Sequence, residues 1–222
     1  MTADGADWPP AIGLTTNIVP RESVILPTHA SIRILAPAIT TWQILTDTAN
    51  YSDWCSFCPK VTVHSQPPSG PTDSVLRRGT HFTFHVVMDS KKPTSYTDTQ
   101  LRVTDVSTPS DPSTYILQST LDLEPTFHPD LNNLYRISWT TEGGFVSKGL
   151  KSERFHEIII IAEDECEVRT WECQGGSLAR VVKWVYKETL QKKFAEWCED
   201  LKRASEAKHN NQDSGKSLAH SN

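Results

Sequence analysis

Nothing in this sequence is long and apolar enough for a membrane-spanning helix, which needs roughly 18 consecutive apolar residues; the nearest approach is the short run Ile158 to Ala162. Surplus positive charge is missing as well. With 22 Lys and Arg against 27 Asp and Glu the net charge is -5, which excludes a broad electrostatic footprint for nucleic acid or anionic lipid and leaves only local basic patches. Basic residues are also lacking at the start, where Asp4 and Asp7 stand and no apolar stretch follows. A secretory signal is therefore not expected, and the expected location is cytoplasmic. The five cysteines (Cys55, Cys58, Cys166, Cys173, Cys198) are odd in number and scattered, unlike a disulfide framework, and are expected to be reduced. No GxSxG, Walker-type, dinucleotide-binding or HExxH stretch occurs, so the common hydrolase and nucleotide-dependent chemistries have no support.

Metal ligation fails on spacing. Cys55 and Cys58 form a CxxC pair, but Cys166 and Cys173 lie seven apart in a strand-like segment and point to opposite faces. His81 and His85 share a face yet sit four strand residues apart, roughly 13 Å, too far to clasp one ion. No metal and no cofactor are expected, and the CxxC cysteines are read as small buried hydrophobes.

What the chain does have is enough length for one domain with a sizeable core. Residues 1–27 carry Pro9, Pro10, Pro20 and Pro27 without sustained periodicity, which predicts an extended or disordered N-terminal arm. Residues 208–222 are polar and predict a flexible tail, leaving 28–207 as the folded domain. Its first element is a strand, 30–35, with Ile32 and Ile34 on one face, followed by a helix from Pro37 to Thr46, a short helical piece near 50–57 and a strand over 60–64. Strand-like stretches follow at about 80–89, 96–106, 114–122, 133–140, 151–162 and 166–173, separated by Pro- and Asp-rich loops and by Gly143-Gly144. After Gly175-Gly176 and Ser177 a long helical pattern runs to about Ala207, with Leu178, Val182, Val185, Leu190, Phe194, Trp197, Leu201 and Ala204 on one face.

Alternation along the strands assigns Phe82, Phe84, Val86 and Met88 to one face, with His81 and His85 on the other. It likewise turns Leu101, Val103, Tyr115, Leu117, Tyr135 and Trp139 inward. Inward phenols need hydrogen-bond partners, which a ligand carbonyl or enol can supply. His156 lies in a run that is apolar on both sides, so alternation does not orient it. A three-residue turn at Glu163-Asp164-Glu165 would set His156 opposite Glu172 as an acid/base pair, whereas a two- or four-residue turn would set it opposite Trp171. Lys183 and Lys187 share a face of the long helix, where an anionic ligand group at a cavity mouth is a further option.

The order of elements, with Ile34-Leu35-Ala36-Pro37-Ala38, Trp42, Leu45, Asp47, Tyr51 and Trp54, then Glu153 to Ile158, Glu167 to Glu172 and the Gly175-Gly176 break, resembles the START-like (SRPBCC) superfamily. That superfamily includes polyketide cyclases, coenzyme Q-binding proteins and birch-pollen-allergen-like proteins. The resemblance implies an α+β helix-grip fold, a curved antiparallel sheet wrapped around a long C-terminal helix, with a cavity for an apolar ligand. It transfers no catalytic residue, because those differ between subgroups.

The resulting expectation is a cofactor-free protein that binds a small hydrophobic molecule, a polyketide or lipid, and guides its cyclisation, dehydration or isomerisation as a lyase or isomerase of secondary metabolism. His156, Glu172, Tyr115 and Tyr135 are the candidate proton-moving groups, and Phe82, Phe84, Val86, Met88, Leu101, Val103, Leu117, Trp139, Val182 and Val185 are the candidate ligand-binding residues. The alternatives are a non-catalytic lipid or quinone carrier, favoured by a purely apolar cavity, and an interaction module, favoured by a filled one. Neither the ligand nor the oligomeric state is legible in the residues.

Overall fold

The computed structural model describes residues 8–68, 70–143 and 148–219, with side chains to residue 212. Seven strands, β1 (Leu26–Ile34), β2 (Lys60–Ser65), β3 (His81–Val86), β4 (Thr97–Ser107), β5 (Leu134–Thr141), β6 (Lys151–Ala162) and β7 (Glu165–Gly175), form one antiparallel sheet in the order β1-β7-β6-β5-β4-β3-β2. The helices α1 (Ala38–Thr46) and α2 (Tyr51–Trp54) follow β1, α3 (Gln118–Leu123) lies between β4 and β5, and α4 (Ser177–Ala219) closes the fold. This is the helix-grip architecture that the family resemblance implied.

Local chemistry explains most boundaries. Pro37 caps α1 with extended backbone, where its missing N–H is no loss. Pro27 sits inside β1, which tolerates it because β1 is an edge strand. At the β7–α4 corner Gly176 adopts φ +88°, and a side-chain carbon there would lie 2.6 Å from the Gly149 carbonyl oxygen, so only glycine fits. Helix α4 continues past 207 to Ala219, since no proline interrupts the polar segment and backbone bonding carries on through it.

The concave face of the sheet and α4 enclose the main core. Phe194, Trp197 and Leu201 of α4 pack with Ile34, Leu45, Tyr51, Trp54, Phe82, Val103, Ile137 and Ile158. Asp200 ties the helix to the loop after α2, accepting from the Ser56 N–H at 2.8 Å and from its hydroxyl.

The convex face is covered as well. Residues 8–25, assigned by sequence to an arm outside the domain, lie across it with the β4–β5 connection, burying Leu14, Val19, Ile116, Leu121 and Phe127 on Phe155 and Trp171. The rings of Phe155 and Trp171 stack with centroids 5.1 Å apart, and the Trp171 indole donates to the Thr15 carbonyl. Residues 1–7 of that arm, and 220–222 of the tail, lie outside the described residues.

One predicted strand is absent. The segment 114–122 forms a turn and the helix α3; Leu117 and Leu121 fit a helical spacing as well as a strand alternation, and Ile116 and Leu121 dock on the convex face. Leu117 consequently faces solvent, 67% exposed.

Candidate functional site

A cavity of about 410 Å³ lies between the sheet and the first half of α4, within the range typical of small-molecule sites. Its apolar wall comes from Phe84 and Val86 of β3, Met88, Leu101 of β4, Trp139 of β5, Phe57 and Cys58 after α2, and Val182, Leu190 and Phe194 of α4. Exposed Thr97, Gln100, Gly143 and Tyr186 mark the mouth. A groove of similar volume beside Pro59 is lined by the exposed Ala49, Ser52, Lys60 and Asp73 and holds no buried ionisable group.

One patch of the cavity wall is polar, built by Ser152 and Arg154 of β6 with Glu172 and Gln174 of β7. The register brings them together: Arg154 pairs with Glu172, and Ser152 with Gln174. Arg154 is buried, with its guanidinium carbon 3.9 Å from the centre of the Phe194 ring and 5.0 Å from that of Trp197. Its Nε donates to the Thr170 hydroxyl at 3.2 Å, while Nη2 has no partner among the described residues. No carboxylate among the described residues lies close enough to form an ion pair with it. Burial pulls its pKa below the usual arginine value, against the opposing pull of Glu172. Gln174 donates from Nε2 to Glu172 Oε1 at 2.9 Å, and its Oε1 is buried and unpartnered.

The predicted His156–Glu172 pair does not form. The hairpin turns through two residues, pairing Ala162 with Glu165, and a bulge at Ile161 then shifts the ladder by one more position. His156 therefore faces Thr170, and Arg154 takes the place opposite Glu172. His156 lies in the core and not on the cavity wall, its ring 4.4 Å from Trp139 and 4.6 Å from Trp197, with neither nitrogen hydrogen-bonded. Burial, helped by the Arg154 charge, holds its pKa well below the usual histidine range. It is a neutral core residue.

The other candidates divide. Glu172, Phe84, Val86, Met88, Leu101, Trp139 and Val182 line the cavity. Phe82 and Val103 face the same side but are fully packed in the core. Val185 is 48% exposed, because the inner stripe of α4 runs through 182, 186, 190 and 194, which puts Tyr186 at the mouth in its place. Tyr135 points inward beyond the cavity and stacks on Trp42 of α1 at 5.4 Å. Tyr115 lies on the convex side, where its hydroxyl donates to Glu153 Oε1 at 2.7 Å; burial raises its pKa to about 12. Lys183 and Lys187 face solvent away from the cavity wall, and all five cysteines are buried and unpaired.

Sequence reasoning missed Arg154 and Gln174. The available signal was the density of ionisable residues in Glu153-Arg154-Phe155-His156-Glu157 inside an otherwise apolar strand, which marks a strand buried on both faces with polar groups that need partners. Glu153 and Glu157 find theirs on the convex side: Glu153 from Tyr115, Thr104 and the Ile18 N–H, and Glu157 from Arg136 at 2.7 Å and the His128 N–H.

No protein-family model matches the chain. It is 32% identical over 185 residues to the oxopyrrolidines biosynthesis cluster protein O of Penicillium oxalicum, a match covering 78% of this chain and 83% of that protein. Among solved structures it superposes on a hypothetical protein of Helicobacter pylori with a TM-score of 0.58 at 13% identity, covering 87% of this chain and 99% of that one. A START superfamily protein of Mycobacterium smegmatis follows with a TM-score of 0.50 at 14% identity, covering 84% and 98%. With its seven-stranded sheet gripping α4, the chain has the START-like helix-grip fold, and it belongs to the family of the P. oxalicum protein.

Proposed function

We propose that this protein takes a small, largely apolar, carbonyl-bearing metabolite into the cavity between sheet and α4 and promotes proton-transfer chemistry on it, as a step in a biosynthetic pathway. The observation that carries the reading is the composition of the cavity wall, where a large apolar surface meets a polar patch in which the buried Arg154 stands across the strand ladder from Glu172. Kinship with a protein named for a biosynthesis cluster supports the metabolic setting.

Chemically, Glu172 is the proton acceptor and Arg154 the electrostatic partner. A carbon next to a carbonyl loses a proton to the Glu172 carboxylate, and the electron pair left behind moves onto the carbonyl oxygen. Arg154 holds that enolate oxygen in a poorly solvated site, where a fixed positive group is worth more than in water. Return of the proton from Glu172 to another carbon gives isomerisation; attack of the enolate carbon on a second carbonyl breaks that C=O π bond, and the alkoxide so formed takes the proton from Glu172, which gives cyclisation. The apolar wall folds the flexible substrate into a reactive conformer. Tyr115, Tyr135 and His156 have no part in this scheme.

A carrier without catalysis is the second reading, favoured by the large apolar share of the wall. The experiment that separates them is native mass spectrometry of the protein purified from a strain that makes its metabolite, followed by turnover of the extracted molecule. Conversion by the wild type and loss in Glu172→Gln, with binding retained, supports catalysis. A bound molecule that neither protein alters makes it a carrier.

A further inference from the structure

Where α4 leaves the β7 corner, its first three turns present an apolar face to solvent. Trp184 is 88% exposed, and Val181, Val185 and Tyr186 are exposed on the same stretch of helix, a concentration of large apolar side chains that marks an interaction surface. At about 100° per residue, Trp184, Val181, Val185, Val182 and Tyr186 succeed one another around an arc of roughly 200°. Val182 and Tyr186 line the cavity. The apolar arc therefore runs from the cavity wall, past its mouth, to the outward crest of the helix.

The rest of the circumference is basic. Arg180, Lys183 and Lys187 occupy it, all exposed, and no acidic residue occurs between Glu172 and Glu188. Farther along α4 the lysines pair with glutamates, Lys192 and Lys193 with Glu196 and Lys202 with Glu206. Arg180, Lys183 and Lys187 make no such ion pair among the described residues.

An apolar arc that carries tryptophan and tyrosine and is bordered by cations alone has the chemistry of a helix lying in the interface of an anionic bilayer. Indole and phenol sit at headgroup level there, and the cations meet the charged headgroups. With a net charge of -5 over the chain, attraction of this kind is confined to a local patch. A second copy of the chain fits less well, because a two-fold contact centred on Trp184 would set three cations against three.

We infer that the first three turns of α4 dock on the surface of an anionic phospholipid bilayer and hold the cavity mouth against it. An apolar molecule then passes between lipid and cavity along Tyr186 and Val182 without crossing open water. Such docking serves a cavity that converts its molecule and equally one that only carries it.

The test is cosedimentation of the full-length protein with vesicles of phosphatidylcholine alone or mixed with phosphatidylserine, at low and at high salt. Three cations at about fivefold each predict roughly hundredfold tighter binding to the mixed vesicles, most of it lost at high salt. Lys183→Gln with Lys187→Gln should weaken that binding about twentyfold. The control pair Lys60→Gln with Lys208→Gln removes the same charge elsewhere and should leave it unchanged. Trp184→Ser should weaken binding at both salt concentrations. All five positions are exposed, so an unchanged melting temperature is expected and shows each variant folded. Equal binding of the wild type to both kinds of vesicle, or equal losses in the two lysine pairs, overturns the docking. So does a wild type that stays in solution with both; a dimer that Trp184→Ser dissociates would then give this face to a second copy.

Discussion

Changing His156 to Phe should remove part of the protein's acid sensitivity without touching ligand binding. The side chain is fully buried between Trp139 and Trp197, neither ring nitrogen has a partner, and burial keeps it neutral well below the ordinary pKa. The unfolded chain protonates this residue near pH 6.5. Below that pH the unfolded state binds one proton more than the folded state, so stability is lost as pH falls through the unfolded value, at about 1.4 kcal/mol per pH unit, until the depressed folded pKa is reached. The loss grows as the pH falls below 6.5, and each kcal/mol of it lowers the melting temperature by about 2–4 °C for a chain of this length. Glu153 and Asp105, whose pKa values burial raises, and His29, whose pKa burial lowers, also bend the profile, but equally in both proteins. The difference between wild type and variant therefore isolates His156. Urea unfolding at half-unit pH steps from 7.5 to 4.5 reads it directly: the gap should shift in favour of the variant on acidification, and Nile red binding at pH 7.5 should be unchanged. A gap constant across that range would refute the neutral-core assignment, and lost conversion of the cavity's molecule would return His156 to the reaction.

Other consequences follow from the buried groups. Phe155→Ala should destabilise by about 3–5 kcal/mol, because Phe155 joins the N-terminal segment to Trp171 and Phe127 on the convex face; denaturant unfolding measures it. Glu157→Gln should cost about 3–5 kcal/mol by leaving Arg136 buried and unpaired, and a paired Arg136→Met, Glu157→Leu replacement should recover most of the loss. The native thiols should resist alkylation at pH 8 and react fully in urea, since all five cysteines are buried and burial lifts Cys166 to about 11 and Cys198 to about 12.

The fold was legible because its signals were local and redundant. Pro37 before an apolar helix, the alternation of Phe82, Phe84 and Val86, the glycine pair at 175–176 and the stripe on α4 each mark an element independently. The segment 114–122 misled because Leu117 and Leu121 fit two periods, and tertiary docking on the convex face decided between them. The candidate site was less legible because it depends on register. The two-residue turn and the bulge at Ile161 leave no mark in composition, yet together they put Arg154 in place of His156 opposite Glu172. The coverage of the convex face was equally hidden: Trp8, Leu14 and Val19 are too widely spaced to show a period, and their role exists only once Phe155 and Trp171 are presented by the sheet.

The central claim is that the space between sheet and α4 receives an apolar molecule. Nile red titration of wild type and Leu101→Trp tests it most directly, because Leu101 lines the cavity and the larger indole fills it at a stability cost of about 1–3 kcal/mol or less. Saturable one-to-one binding by the wild type, lost in the folded variant, is the predicted result. Binding that the variant retains would locate the dye elsewhere, and no binding by either protein would contradict the claim.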